Sequence, residues 1–155
     1  MTNWYSLITF GYSDSEDRLW VRLTAEDSNA TFWLSRRLVS RFLPDVYGGL
    51  IGDQSKEAAC LEHEQAVAEL RAQGGDSSPP SPKLEGLLSL GLISTIRFSQ
   101  NEGSYSMIFA GNGDSAGFRC DRKAVHRVLE ALWSRQRAVG WGLPAPWAEA
   151  LVNDQ

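Results

Sequence analysis

The only cysteine and histidine residues of the chain make up one set that could bind a metal ion: Cys60, His63, Cys120 and His126. Two thiolates and two imidazoles form a tetrahedral ligand set that zinc accepts. The Cys60-x-x-His63 spacing would place two of these ligands at neighbouring positions of one helix. The alternative is that Cys120 is a small buried hydrophobe and His126 a surface residue. We favour that alternative and predict no metal and no cofactor.

Motifs for covalent or phosphate chemistry are missing from the sequence. No serine lies in a G-x-S-x-G elbow, and no P-loop or G-x-G-x-x-G motif follows a predicted strand. The Gly111-Asn112-Gly113 stretch is typical of a hairpin turn rather than of a phosphate-binding loop. The carboxylates fall in predicted turns and on one solvated helix. We therefore predict that the protein is not an enzyme.

Aromatic and arginine side chains could instead form an interaction surface. Alternation along the predicted strands at residues 19–23 and 31–34 directs some of these side chains away from the core, and Arg119 occupies the matching position in the second half of the chain. Such a face could stack on bases or anchor a protein partner. The alternative, which we favour, is that the middle helix or the tail covers the rings as a second small core. The predicted face consists of Trp20, Arg22, Trp33 and Arg119.

Basic residues are concentrated in and beside two predicted helices. At equivalent points of a symmetric fold they could form a stripe that faces phosphates. The alternative, which we also favour, is that they are solvated and paired with an acidic middle helix. The predicted cluster consists of Arg36, Arg37, Arg41, Arg122, Lys123 and Arg127.

The elements that must position these residues occur twice in the same order. Three short strands and a helix capped by Ser35 are followed, after a middle helix, by three more strands and a helix capped by Asp121. Residues 17–46 align without a gap on residues 103–132 at an offset of 86, and the turns, caps and core-facing positions coincide. We interpret the chain as α+β: a tandem duplication of a β-β-β-α unit with pseudo-twofold packing, plus an inserted middle helix and a Trp-rich C-terminal tail.

The predicted organisation is one domain over residues 1–155. Its parts are repeat one (4–50), the middle helix and a Pro- and Ser-rich linker (53–84), repeat two (91–140) and the tail (141–155). The sequence contains no apolar run of the ~20 residues that a membrane span needs, and no secretory signal at its start. With only two cysteines, we expect a cytoplasmic protein that does not contact membranes.

The architecture sets the function that we expect. A net charge of −4 argues against a bulk nucleic-acid binder, and six tryptophans suggest an aromatic surface. We predict a protein-interaction or adaptor module that binds a protein partner or forms a homodimer. At the level of architecture, the duplicated sheet-and-helix unit also resembles the PUR-repeat and PC4-like single-strand binders. That resemblance implies single-stranded nucleic-acid binding as the alternative function, with roles for Trp20, Arg22, Trp33, Arg97 and Arg119.

Overall fold

The structure is a computed structural model, and it describes residues 2–14, 17–26, 28–53, 55–72, 91–111 and 115–148. The predicted linker at 74–83, most of the predicted Asn-Gly turn and the end of the tail lie outside these residues. The protein is α+β, with two β-sheets and long helices. Among the helices described, none is both long and apolar enough to cross a membrane.

In the described residues, seven strands and three long helices follow one another. The strands are β1 (Thr2–Tyr5), β2 (Leu7–Ser13), β3 (Arg18–Thr24), β4 (Asn29–Leu34), β5 (Thr95–Asn101), β6 (Ser104–Ala110) and β7 (Ser115–Cys120). The helices are α1 (Arg36–Asp53), α2 (Lys56–Ala72) and α3 (Arg122–Ala138).

Each half of the chain builds an antiparallel meander. One sheet has the order β2-β3-β4, and the other has the order β1-β7-β6-β5. Within the meanders, Leu19 pairs with Leu34 and Tyr105 pairs with Cys120. Period-two alternation places Leu19, Val21 and Leu23 on the core face, as the sequence predicts.

The N-terminal strand leaves its own half of the chain. Residues 4–12 read as one strand in the sequence, but the chain breaks at Ser6, and β1 pairs in parallel with β7 of the other half. In the opposite direction, Leu92 of the second half forms a parallel bridge with Trp33 of β4 in the first half. A local pattern cannot reveal these crossings, because the pairing partners are far apart in sequence.

A shared core lies between the sheets and the helices. It contains Phe42 and Val46 of α1, and Val125, Leu129 and Leu132 of α3, as the helical periodicity predicts. The packing crosses between the halves: α3 packs on β2, whereas α1 packs on β5. The middle helix α2 packs mainly on α3.

Helix α1 is longer than its sequence predicts. The pair Gly48-Gly49 suggests a C-terminus, yet the helix continues to Asp53 and carries Pro44 within it. Leu50 is fully buried and belongs to the core. Burial of this side chain offsets the ~1 kcal/mol by which each glycine disfavours a helix.

The N-caps predicted for the helices are present. Ser35 Oγ accepts a hydrogen bond from the Leu38 amide at 3.1 Å, and Asp121 Oδ1 accepts one from the Ala124 amide at 2.8 Å. We expect Asp121→Ala to lower the free energy of unfolding by about 1 kcal/mol, because an amide of the first turn loses its acceptor. Urea unfolding measures the effect. Asp121→Asn, which keeps an acceptor, should retain most of the stability, and an equal loss in both variants would contradict the capping role.

Candidate functional site

The outer face of the four-stranded sheet presents its side chains to solvent. Because paired residues share a face, the register places Trp4, Gly117, Ile108 and Arg97 in one row across β1, β7, β6 and β5. Arg119, Ser106 and Ser99 form the next row. We call this surface the open face and define it by Trp4, Arg97, Ser99, Ser106, Ile108 and Arg119.

Trp4 and Arg119 form a stacked pair on the open face. The guanidinium carbon of Arg119 lies 4.4 Å from the centre of the Trp4 ring, within the range of a cation–π contact. Trp4 lies flat over Gly117, which has no side chain to hold the ring away from the sheet. The ring remains 43 % exposed. The pair therefore offers a partly exposed stack of a guanidinium on an indole ring.

A depression adjoins this pair at the end of the β5–β6 hairpin. Its volume is about 400 Å³, and it is lined by Ser99, Asn101, Ser104, Tyr105, Ser106 and Arg119. The Ser99 and Ser106 hydroxyl oxygens are 2.6 Å apart and hydrogen-bonded to each other. A volume of this size falls within the ~300–1,000 Å³ that is usual for small-ligand sites.

The electrostatics of the open face differ from those of the whole chain. Strands β1, β5, β6 and β7 contain no Asp or Glu, although the chain carries a net charge of −4. Arg97 and Arg119 are both exposed on this face. The sheet therefore presents positive charge and hydroxyl groups, which suit an anionic ligand.

The four residues of the predicted interaction face do not share a surface. Trp20, Arg22 and Trp33 lie on the three-stranded sheet, and Arg119 lies on the four-stranded sheet. The two tryptophans are 2 % and 4 % exposed and pack together as a separate small core. The burial of both rings agrees with a second small core. Arg22 is engaged locally, with its Nε donating to Thr31 Oγ1 at 3.1 Å.

Three members of the predicted basic cluster are paired with α2. Arg122 Nε contacts Glu62 at 3.0 Å, and Lys123 Nζ and Arg127 contact Glu69 at 2.6 and 3.1 Å. The hydrogen bonds from Lys123 and Arg127 lower the pKa of Glu69. The acidic middle helix thus neutralises this side of α3, as the alternative in the sequence analysis expects.

The other three members of the cluster lie on α1. Arg36 donates to the backbone carbonyl of Trp141 at 2.7 Å, which ties α1 to the tail. Arg37 and Arg41 are exposed. Four members of the predicted phosphate-facing stripe are therefore engaged within the protein. Arg122, Lys123 and Arg127 form ion pairs with α2, and Arg36 bonds to the tail.

No family model, curated protein or solved structure matches this chain. The function must therefore be argued from the chemistry of the surfaces, because a fold alone does not determine an activity. The likeness to PUR-repeat and PC4-like binders stays an expectation that comes from architecture.

The structure brings together two of the four residues in the predicted zinc set. His63 Nδ1 and His126 Nδ1 lie 3.1 Å apart, but the third partner is Glu130, whose Oε2 lies 3.1 Å from His63 Nε2. Cys120 lies at the end of β7 and is partly buried, and desolvation raises its pKa to about 12. Within the described ranges, no group of three or more His, Cys, Asp and Glu side chains could hold a metal ion.

The histidine pair is buried, which corrects the expectation of a surface position for His126. His126 is fully buried, whereas Ser40, the residue at the equivalent position of the first repeat, is exposed. The difference arises because α2 packs on α3 and only marginally on α1. Burial, together with His63 and Arg122, lowers the pKa of His126 to about 4. The ring is therefore neutral at physiological pH.

Aromatic rings surround the pair. Trp147 of the tail stacks on His63, with ring centres 3.9 Å apart, and Tyr47 of α1 contacts both imidazoles edge-on. Burial raises the pKa of Tyr47 to about 12, with a smaller contribution from Cys60, and its buried hydroxyl makes no hydrogen bond. The cluster is thus a buried polar group that joins α1, α2, α3 and the tail.

Sequence reasoning missed Glu130 and Trp4. Glu130 follows His126 by four residues, so both must lie on one face of α3, and this spacing was the available signal. Trp4 gave no such signal, because its role depends on the pairing of β1 with β7. Of the residues that the nucleic-acid resemblance implied, Arg97 and Arg119 lie on the open face.

Proposed function

We propose that this protein is a non-catalytic binding module that holds single-stranded nucleic acid on its open face. The observation that carries the proposal is the exposed Trp4–Arg119 stack on a sheet without acidic residues. Exposed aromatic rings stack on unpaired bases, and arginines attract the phosphates between them. The serine-lined depression beside Arg119 supplies hydroxyl groups for further polar contacts.

The acidic net charge is compatible with this proposal. Two acidic side chains of α2, Glu62 and Glu69, are engaged with cations of α3, which offsets their charge. Local charge at a binding surface governs phosphate contacts, and two exposed arginines predict a modest dependence of affinity on salt. The expected slope of log affinity against log salt is about −1 to −2.

Substitution on the open face tests the proposal. We expect Trp4→Ala to weaken binding of a labelled single-stranded oligonucleotide about tenfold, because base–aromatic stacking is worth ~1–3 kcal/mol. Arg119→Ala should weaken binding and also reduce the salt slope by about one. Fluorescence anisotropy at low and moderate salt measures both effects.

A matched control is Arg41→Ala, which removes an exposed arginine from α1. It should leave the affinity nearly unchanged. An equal loss in Arg41→Ala and Arg119→Ala would mean that binding is diffuse and not located on the open face. Undetectable binding at low salt would overturn the proposal, because phosphate contacts are strongest there.

A second candidate function is a protein-interaction or adaptor module, including self-association through the same face. The 43 % exposure of Trp4 favours it, since tryptophan and arginine dominate protein–protein hot spots. Apolar docking depends little on salt, whereas nucleic-acid binding weakens as salt rises. Light scattering of the wild type and of Trp4→Ala distinguishes a homodimer from a monomer.

We also infer that the fold arose by duplication with pseudo-twofold packing. Two structural equivalences support this inference. Each pairing of β3 with β4 has a counterpart 86 residues later in β6 and β7, as Leu19–Leu34 and Tyr105–Cys120 illustrate. The Ser6 amide and hydroxyl both donate to the carbonyl of Thr24, and those of Ser94 both donate to the carbonyl of Ala110.

The crossings between the halves fit the same symmetry. In the parallel pairing of β1 with β7, Tyr5 lies opposite Phe118, so the register would place Ser6 opposite Arg119. The bridge between Leu92 and Trp33 is also parallel, and it joins β4 of the first half to the chain just before β5 of the second half. The duplication would thus account for the two sheets, while α2 and the tail are additions that make the halves unequal.

A further inference from the structure

Both histidines of the chain lie in one buried cluster at the contact of α2 with α3. His63 belongs to α2, and His126 and Glu130 belong to α3. Since there are only two histidines, any imidazole titration that the protein shows must come from this cluster.

For two neutral rings beside a carboxylate, the contacts fit one proton on each ring. Glu130 as a carboxylate can only accept, so His63 must donate from Nε2, and a neutral His63 then has a bare Nδ1. His126 must therefore donate from its Nδ1 to His63 Nδ1, which leaves His126 Nε2 unprotonated. That nitrogen is buried and makes no hydrogen bond.

The attachment of α2 depends on this arrangement. The buried face of the helix consists of Ala59, Cys60, His63 and Ala66, so its largest buried side chain is a histidine. Three alanine- or cysteine-sized side chains bury little apolar area. The flanking ion pairs of Glu62 and Glu69 with α3 are partly exposed and individually weak. The histidine contacts therefore carry a large share of the helix–helix interaction.

The tail is attached to the same cluster. Trp147 stacks on the His63 ring and packs edge-on against Trp133 of α3. The chain before it is held by hydrogen bonds between Leu143 and Gln136. A change at His63 would thus act on α2 and on the tail together.

His126 Nε2 can accept an added proton, and its surroundings oppose a charge there. From α2, Glu62 Oε1 lies 4.0 Å away, but that carboxylate is already engaged by Arg122 of α3. From α1, Tyr47 presents an aromatic ring to His126. The thiol of Cys60 on α2 has a pKa that is raised by burial and by Glu64. His63 carries its proton on the opposite nitrogen and is already bonded to Glu130.

We propose that the His63–His126–Glu130 cluster is an acid-sensitive latch that holds α2 and Trp147 against α3. Protonation of His126 places an imidazolium in a buried site, which raises the free energy of the closed arrangement relative to one in which α2 is separated from α3. Release lets water solvate the charged ring, so acid favours the open form. It also separates Glu62 and Glu69 from the three cations of α3.

The sign and size of the effect follow from linkage. The pKa of His126 is about 4 in the closed form, and in a solvated open form it returns towards 6.5, so the open form binds the proton more tightly. The closed form is therefore favoured above pH 6.5 and loses its advantage as the pH falls towards 4. Between about pH 8 and pH 5, the ratio of open to closed protein should rise about 30-fold.

Nitrogen-15 NMR of the histidine-labelled full chain tests the proton arrangement directly. The expected result at neutral pH is two neutral imidazoles in opposite tautomers, one protonated on Nε2 and one on Nδ1. Two identical tautomers, or a charged ring at neutral pH, would overturn the latch, because either requires different contacts.

Hydrogen exchange of the backbone, corrected for intrinsic pH dependence, tests the release. Amides of α2 should lose protection about 30-fold on acidification, while those of β3 and β6 keep theirs. In His126→Asn, whose amide can still donate to His63 but cannot titrate, the loss should be less than about threefold. Glu64→Gln, which removes an exposed carboxylate from α2, should behave like the wild type.

Two outcomes would overturn the proposal. The first is unchanged protection of α2 in the wild type at pH 5. The second is loss of protection in α2 and in both sheets together, which would mean global unfolding. If His126→Asn does not fold, the wild-type exchange and the tautomers still decide the question.

Discussion

Replacing Gly11 by alanine is expected to lower the free energy of unfolding by about 3 kcal/mol, the upper end of the range for overpacked cores. The added Cβ would lie 2.0 Å from Cζ2 of Trp20 and 2.3 Å from Cε2, far inside contact distance. The Trp20 ring is 2 % exposed and packs with Trp33, so it cannot swing into water. Urea unfolding followed by circular dichroism measures the loss.

The matched control is Gly117→Ala on the other sheet. Its Cβ would meet the Trp4 ring at 2.6 Å, but that ring is 43 % exposed and can turn away, so we expect a loss of less than about 1 kcal/mol. In a Trp20→Leu background, Gly11→Ala should cost little, because the obstructing ring is gone. A loss at Gly11 that is the same with and without Trp20 would contradict the proposed clash.

Local patterns predicted the parts of the fold that local physics controls. Helix α3 begins at Arg122 because Asp121 caps it. Helix α2 extends to Ala72, close to the helix-breaking pair Gly74-Gly75 in the sequence. The β3 strand shows its core face through alternation alone. In each of these elements, hydrogen bonding and burial within a few residues determine the outcome.

Long-range pairing could not be predicted in this way. The stretch around Ser6 is rich in strand-forming residues, and nothing in it indicates that its first part belongs to the opposite sheet. The open face depends on that crossing, because it brings Trp4 next to Arg119. The predicted face on the three-stranded sheet had the right residue types, but its tryptophans are buried.

The histidine cluster was half predicted. The Cys60-x-x-His63 spacing drew attention to α2, but the carboxylates were assigned to solvated positions, so Glu130 was overlooked. Amphipathic periodicity shows which side of α3 faces the sheets. It cannot show that a second helix covers another side, and that contact is what buries His126 and Glu130.

Replacing His63 by leucine is expected to lower the free energy of unfolding by about 3 kcal/mol, as when one partner of a buried polar pair is removed. Glu130 Oε2 would lose its donor at 3.1 Å, and the Nδ1 proton of His126 would lose its acceptor. The remaining bond to Glu130, from Ser134 Oγ at 3.3 Å, is long and weak. Urea unfolding at neutral pH measures the change.

The double variant His63→Leu/Glu130→Leu separates lost packing from an unpaired buried charge. It should recover about 2 kcal/mol relative to His63→Leu, because apolar replacement of both partners is often close to neutral. Ser134→Ala, the control, should cost less than about 1 kcal/mol. If the double variant is as unstable as the sum of the single variants, the two residues are not coupled. In that case the cost at His63 reflects packing against Trp147, and the cluster is not an electrostatic unit.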